Sequence, residues 1–538
     1  ATGHRDVTVV NGFAVPVRAM VGTGTREVAP GAAVTLNVPI GTHRARAATA
    51  SGTELESFEL PVAAGRALLL WNVAGAAPVY DEVVEYFVKP PGEDHRGPKP
   101  TLHCGDRVFE VTGIDYAFQP PPTKVSMPQG ASRHTRRHLD VATGLEAPQA
   151  DFCATMLLDS HREADALRVL EARARARGLQ RDDVGILLRV AVASGPAEGE
   201  RVARVVRTAF PDDVMVQRSY QFALEAAGKL PELVAEYRGR AEAAPESPTA
   251  QYLHLRLLDG AEQLAGAEAA LARFPKDPDL LRLVTALRAE TGDFGGAAAA
   301  YRTLRVLSAE QAAEVLPETA ASLVRLGRGA EALAEIAALF DALPLPSRAE
   351  PAVLYARLAA LRGVSGSDAL VRRLEEKAPD PVLRARAGLP PPSPAPKGAD
   401  ELVVPALYGL VRKDPRAALE KLRPLPPALV GVQLDSGTWA LLYLEAVRTD
   451  VRLDPALLAF APVRPRHLEK LKSYVRGETG AALPAVPLVV RAAAEFVRSR
   501  NAALPEAERA ALAAAARADD PLATWVADAM ARWPAAAR

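Results

Sequence analysis

Five glycines, Gly195, Gly228, Gly260, Gly292 and Gly327, recur at intervals of 33, 32, 32 and 35 residues. No other feature constrains the fold of this chain as strongly. Pairs of amphipathic segments lie between the glycines, and proline follows several of them at Pro211, Pro245, Pro275 and Pro344. A helix, a tight turn, a second helix and a second turn together use roughly 34 residues. One such hairpin cannot bury its own apolar faces, so hairpins must stack, and stability accumulates through nearest-neighbour interfaces. The period predicts an α-solenoid.

Two segments show the pattern best. Gly292-Asp293-Phe294-Gly295-Gly296-Ala297-Ala298-Ala299-Ala300-Tyr301 and Gly327-Arg328-Gly329-Ala330-Glu331-Ala332-Leu333 each open on a turn glycine that small residues follow. Here the chain resembles the tetratricopeptide repeat family, in which alanine comes five residues after the turn glycine, a large residue nine after it and proline seventeen after it. Gly327, Ala332, Ile336 and Pro344 fit, as do Gly228, Leu233, Tyr237 and Pro245 with leucine in place of alanine. The departures are a missing aromatic early in the first helix, a proline two residues early after Gly260, and Ser308 near the place of the fourth repeat's proline. The repeats are degenerate and cover about residues 146–380.

The resemblance implies a groove lined by fixed positions of each first helix, which here are Arg189, Arg218, Phe222, Glu225, His254, Arg282 and Arg325. A row of guanidinium groups implies an acidic protein or peptide as partner, held by bidentate hydrogen bonds. The plain alternative is a set of solvated helix charges. Peptide-holding members of the family place asparagine at the ninth position. This sequence has Arg189, Phe222, His254, Ala286 and Ala321 there, so that grip does not carry over.

Residues 1–127 read differently. Val7-Thr8-Val9-Val10 runs into Asn11-Gly12, a tight-turn signal. Val15–Val21, Val34–Val38, His43–Ala47 and Glu54–Leu60 follow as short alternating runs between turns. The alternation places Val17, Ala19 and Val21 on one face and Arg18 and Met20 on the other. Leu68–Val73 reads as a central strand with Trp71 as core filler. This predicts an antiparallel, sandwich-like β domain. Val28-Ala29-Pro30-Gly31 and Pro39-Ile40-Gly41-Thr42-His43 carry a resemblance of residues 7–87 to PEGA-type and carboxypeptidase-regulatory-type β modules, which implies an accessory domain of an envelope or extracellular protein.

Residues 128–145, with the basic run Arg133-His134-Thr135-Arg136-Arg137-His138, read as a linker. His103, Cys104, His134 and His138 are the metal-ligand candidates, joined in sequence by His95, Cys153 and His161. With no CxxC pair and no HExxH, a solvated basic linker is the simpler reading, and no metal or cofactor is expected. The two cysteines are too few for a disulfide framework and read as thiols, with one pairing as the alternative. GxGxxG, GxxxxGK[ST] and GxSxG are all missing, which argues against an enzyme.

Lysine plus arginine and aspartate plus glutamate each total 65, so no global field draws this chain to nucleic acid or an anionic membrane. No run approaches the roughly 20 apolar residues of a membrane span. The chain opens on Ala1 rather than methionine, which predicts that something upstream has been removed, and Ala1-Thr2-Gly3 would suit the residues after a signal or anchor segment, with a cut unrelated to processing as the alternative. An envelope or periplasmic setting follows, with the cytoplasm as the alternative.

Residues 389–400 form a proline-rich linker, and 401–538 a helical block that continues or caps the solenoid, with Trp439, Trp525 and Trp533 as packing anchors. The expected fold class is α+β multidomain, with an amino-terminal β domain, a solenoid over 146–388 and the carboxy-terminal block. The expected function is a non-enzymatic protein-binding scaffold. A metal-binding or catalytic protein using residues 95–161, and a structural subunit of a self-assembling complex, are the alternatives.

Overall fold

The structure, a computed structural model, describes residues 3–89, 97–145, 147–376, 380–390, 417–418, 420, 436–451, 463–484 and 486–519. The chain is α+β and divides into two compact units, Ala1–Phe210 and Pro211–Arg538. The proline-rich stretch apart from Leu389 and Pro390, the first helices expected after residue 401 apart from isolated positions, and Trp525 and Trp533 lie outside the described residues.

The first unit holds strands β1 (His4–Val10), β2 (Val17–Val21), β3 (Gly24–Val28), β4 (Ala33–Pro39), β5 (Gly41–Thr49), β6 (Glu54–Val62), β7 (Leu68–Asn72), β8 (Val79–Phe87), β9 (Thr101–His103), β10 (Val108–Val111), β11 (Tyr116–Ala117) and β12 (Arg133–Val141). They form three four-stranded sheets, ordered β10-β7-β1-β4, β11-β12-β8-β9 and β3-β2-β5-β6. Val17, Ala19 and Val21 are buried and Arg18 is exposed, as the alternation requires. Trp71 is fully buried, its Nε1 donating to Glu56 Oε1 at 2.8 Å and its ring edge-on to Phe58.

Three expectations are corrected here. The sheets are not wholly antiparallel, because β1 pairs with β7, and β11 with β12, in parallel. Parallel neighbours need a long crossover, and the connection from β1 to β7 contains the whole β3-β2-β5-β6 sheet. Asn11-Gly12 is not a hairpin turn, since β1 and β2 belong to different sheets. The buried Asn11 amide instead donates to the carbonyls of Val15, Val28 and Ala29, and a Cβ on Gly12 would lie 2.3 Å from the Ala76 and Ala77 backbone. The basic run read as linker is strand: Arg133–Val141 pairs with β8 from Arg133↔Phe87 to Val141↔Val79. Its charges meet acidic partners on β8, Arg133 with Glu85, Arg137 with Asp81 and His138 with Glu82, and Leu139 and Val141 enter a cluster with Val10, Leu70, Val79 and Val111.

Helices α1 (Gln149–Asp159), α2 (Glu163–Arg177), α3 (Arg181–Ser194) and α4 (Pro196–Ala209) complete this unit, which therefore runs past residue 146. Cys104, after β9, forms a disulfide with Cys153 of α1, so the reading of two thiols gives way to the pairing. From α2, Arg168 donates to the carbonyls of Ala74 and Gly105, and Arg175 to that of Leu55. A buried carbonyl must be paired, and these arginines fasten the helices to the strands.

The second unit begins with α5 (Val214–Ala226), α6 (Leu230–Ala243), α7 (Pro248–Leu255), α8 (Gly260–Arg273), α9 (Pro278–Thr291), α10 (Phe294–Leu307), α11 (Ala309–Glu314), α12 (Leu316–Arg325), α13 (Gly329–Ala342), α14 (Ala349–Leu361), α15 (Ala369–Leu374) and α16 (Pro381–Ala387). Gly228, Gly260, Gly292 and Gly327 stand at the turns of the pairs α5/α6, α7/α8, α9/α10 and α12/α13, with φ of 78°, 60°, 90° and 73°. Such angles are open to glycine and costly for other residues, so the period marks the turns. Asp213, Ser247 and Asp277 cap the starts of α5, α7 and α9 through their side-chain oxygens. Ser308 caps the extra short helix α11, which accounts for the 35-residue interval and for the missing proline. Leu233, Tyr237, Tyr301, Ala332 and Ile336 are fully buried between helices.

After these come α17 (Ser436–Arg448), α18 (Pro465–Arg476), α19 (Leu488–Ser499) and α20 (Glu506–Asp519). Trp439 is a packing anchor, stacked on Tyr443 in a core drawn from all four helices. These helices lie along the ends of the hairpins' first helices rather than only at the end of the array. Arg466 reaches Glu225 of α5 and Asp259 beside α7, Arg491 donates to the Glu290 carbonyl of α9, and Asp519 pairs with Arg325 of α12. Leu488 joins the apolar cluster of α9 to α14.

Candidate functional site

Where the start of α18 meets the hairpins, a cavity of about 280 Å³ remains. Its wall carries Arg218 from α5, Arg256 at the end of α7, Arg282 from α9, and Arg464, Arg466 and His467 from the start of α18. Asp259, Glu290 and Glu314 are the carboxylates among the lining residues. Helical periodicity explains part of this set, because Arg218 and Arg282 occupy the same register position in hairpins two repeats apart.

The cations differ in how they are satisfied. Glu314 accepts from Arg282 Nη1 at 2.8 Å and from Arg218 Nη2 at 3.5 Å. Arg282 also meets Asp279 at 3.0 Å and donates to the Tyr252 hydroxyl. Arg466 is held by Glu225 at 3.3 Å, by Asp259 at 3.0 Å and by the Leu258 carbonyl at 3.1 Å. The hydrogen bond from His467, with Arg466 and Lys470 nearby, holds the Asp259 carboxyl well below the usual range.

Arg256 and Arg464 are different. Arg256 donates to the neutral Gln221 side chain. Arg464 Nη1 is closed off from solvent and has no hydrogen-bond partner among the described residues. Neither has a carboxylate within ion-pairing distance among those residues. Burial, and after it the like charges of Arg256 and Arg466, pulls the Arg464 guanidinium down to about 9, which still leaves it charged at neutral pH. Burial also lowers Arg256, with Arg218 and Arg282 adding repulsion. Facing them, burial pushes Glu290 up to about 7 against the pull of Arg464 and Arg491. Glu225 attracts both guanidinium groups from a distance but is ion-paired to Arg466, so the cavity holds two guanidinium groups with no ion-pair partner among the described residues, an arrangement that an entering anion would relieve.

The residues predicted from the sequence divide. Arg218 and Arg282 line the cavity, and Glu225 adjoins it through Arg466. Arg325 is taken up by the chain's own α20, at Ala518 O and Asp519, and lies over the Phe294 ring. Phe222 and the half-buried His254 are not among the lining residues. Arg189 belongs to the first unit, where its Nε donates to the Gly185 carbonyl at 3.1 Å. Arg256, Arg464, Arg466 and His467 were missed. The run Arg464-Pro465-Arg466-His467, a basic cluster with proline at a helix start, was the available signal for three of them.

The metal candidates do not converge. Cys104 is in the disulfide, and His103 meets Asp106 at 3.1 Å and stacks on Phe109. His134 pairs with Tyr86 in the β ladder, and the buried His138 shares a 2.9 Å hydrogen bond with Glu82. His95 lies outside the described residues. Among the described residues no three His, Cys, Asp or Glu side chains form a metal-holding group. No helix among them is long and apolar enough to cross a membrane. Comparison with protein-family models gives no match, and comparison with curated proteins gives none either.

Proposed function

We propose that this chain is a non-enzymatic binding scaffold: a tetratricopeptide-like helical-repeat array, preceded by an accessory β domain of PEGA or carboxypeptidase-regulatory type, that engages a partner protein in a cell-envelope assembly. The observation that carries this reading is the cavity between the array and α18, where Arg256 and Arg464 have no ion-pair partner among the described residues. An anionic group on the partner completes it. The glycine-marked stacking of α5 to α13 supports the repeat-array reading, since such arrays present extended surfaces to ligands. The Cys104–Cys153 disulfide supports an oxidising compartment.

The test is site-specific photo-crosslinking in the native host from position 283, whose leucine lines the cavity. The scaffold reading expects one discrete protein adduct, with the crosslinked partner peptide mapping to an acidic segment. Intrachain adducts alone would contradict it.

A further inference from the structure

The cavity also constrains the chemistry of what enters it, and this deepens the scaffold reading and rests on it. The volume of about 280 Å³ is at the lower limit of small-molecule pockets, so it admits a compact group rather than an extended ligand. The lining is mixed, with Leu283, Leu287, Val315 and Pro487 beside the guanidinium groups in the same wall. A water-filled enclosure cannot neutralise Arg256 and Arg464, and the Arg464 Nη1 hydrogens have no acceptor among the described residues. Glu314 is already shared by Arg218 and Arg282, and Asp259 by Arg466 and His467. Neither carboxylate is within ion-pairing distance of the two remaining cations.

We infer that the cavity is a binding site for a tetrahedral dianionic oxyanion of the phosphate-monoester class, held between the guanidinium groups of Arg256 and Arg464. Two planar forks, each able to present parallel N–H donors, match several oxygens of one tetrahedral group. A carboxylate brings one negative charge and two oxygens and leaves one guanidinium uncompensated. Glu225 attracts both cations but is taken up by Arg466, and Glu290 lines the same cavity, where Arg464 acts on it. The Glu290 proton is retained when the anion is present, so occupancy tightens as pH falls from 8 towards 7, a range in which a phosphate monoester remains largely dianionic. The other charged groups facing Glu290 are Arg464 and Arg491, with Glu318 close enough to feel its charge.

The experiment is isothermal titration of the full chain with inorganic phosphate, with O-phosphoserine and with acetate, at matched ionic strength. The expected result is saturable one-site binding of phosphate or phosphoserine, with acetate at least tenfold weaker. Preference for phosphoserine identifies a phosphorylated side chain as the source, and preference for inorganic phosphate a free anion. Arg464→Met and, separately, Arg256→Gln each reduce affinity at least tenfold. Arg372→Met, which removes an exposed helix-surface charge, leaves it unchanged. Thermal denaturation of each variant confirms the fold, and Arg464→Met is expected to melt no lower than wild type because it relieves repulsion. Equal affinity for acetate, binding that survives both cavity substitutions, or no saturable binding up to about 10 mM, tenfold weaker than a millimolar complex, overturns the inference. If titration fails while crosslinking from position 283 still captures an acidic partner, the oxyanion assignment falls and the scaffold reading stands.

Discussion

Replacing Arg466 by alanine tests how the carboxy-terminal helices are held on the repeat array. The Arg466 and Glu225 side chains are only 9% and 5% exposed. The substitution removes the guanidinium from Glu225, from Asp259 and from the Leu258 carbonyl together. Breaking a buried pair from one side costs roughly 3–5 kcal/mol, chiefly because the remaining charge stays buried and unpaired. Glu225 retains the Arg466 backbone N–H at 3.1 Å, which places the cost at the lower end. The more exposed Asp259 keeps His467 and Lys470 and adds at most about 1 kcal/mol. The expected loss of about 3 kcal/mol corresponds to more than a hundredfold drop in protection. Hydrogen exchange of the full chain, read on the non-proline amides of α18, measures this locally and avoids assuming that two units unfold together. Adding Glu225→Gln to Arg466→Ala should restore part of the protection, since the buried carboxylate is gone, though its attraction for Arg256 and Arg464 goes with it. Protection of α18 that falls less than about tenfold, or a double variant no better than the single, would refute this account of the docking.

Three further outcomes follow from the same geometry. Replacing Cys104 and Cys153 by serine opens a cross-link spanning 49 residues and should destabilise the first unit by about 4 kcal/mol, seen as loss of exchange protection in the 1–210 region. Gly12→Ala drives a Cβ into the Ala76–Ala77 backbone and should cost about 1–3 kcal/mol by denaturant titration. Burial pushes Glu290 and Glu318 from 4.5 up to about 7, so between those pH values the unfolded chain has released protons that the folded chain still holds. Stability of the second unit should therefore fall as pH rises from 4.5 to about 7, by on the order of 3 kcal/mol for each of the two groups, and level off above. Urea titrations at pH 5 and 7.5 check this, and Glu318→Gln should flatten the dependence.

The hairpin turns were legible in the sequence because a positive φ at Gly228, Gly260, Gly292 and Gly327 is a local requirement with a local solution. The inward alternation of β2 and the burial of Trp71 were legible for the same reason, being period and size alone. Strand β12 was not. Its charges suggested solvent, and their acidic partners on β8 lie about 50 residues earlier, so the pairing is visible only once the sheet exists. Asn11-Gly12 misled because its turn chemistry is common to a hairpin and to a buried crossing of chain segments. The cavity is half legible. Register places Arg218 and Arg282 together, whereas Arg464 and Arg466 arrive from a helix 241 residues beyond Glu225, a separation that no periodicity spans.

The most direct measurement is a crystal structure of the full chain soaked in selenate, with data collected at the selenium absorption edge. The account predicts an anomalous peak between the Arg256 and Arg464 guanidinium groups, with α18 seated on Glu225 and Asp259. A cavity without an anomalous peak, or α18 displaced from α5 with Arg464 in solvent, would contradict it.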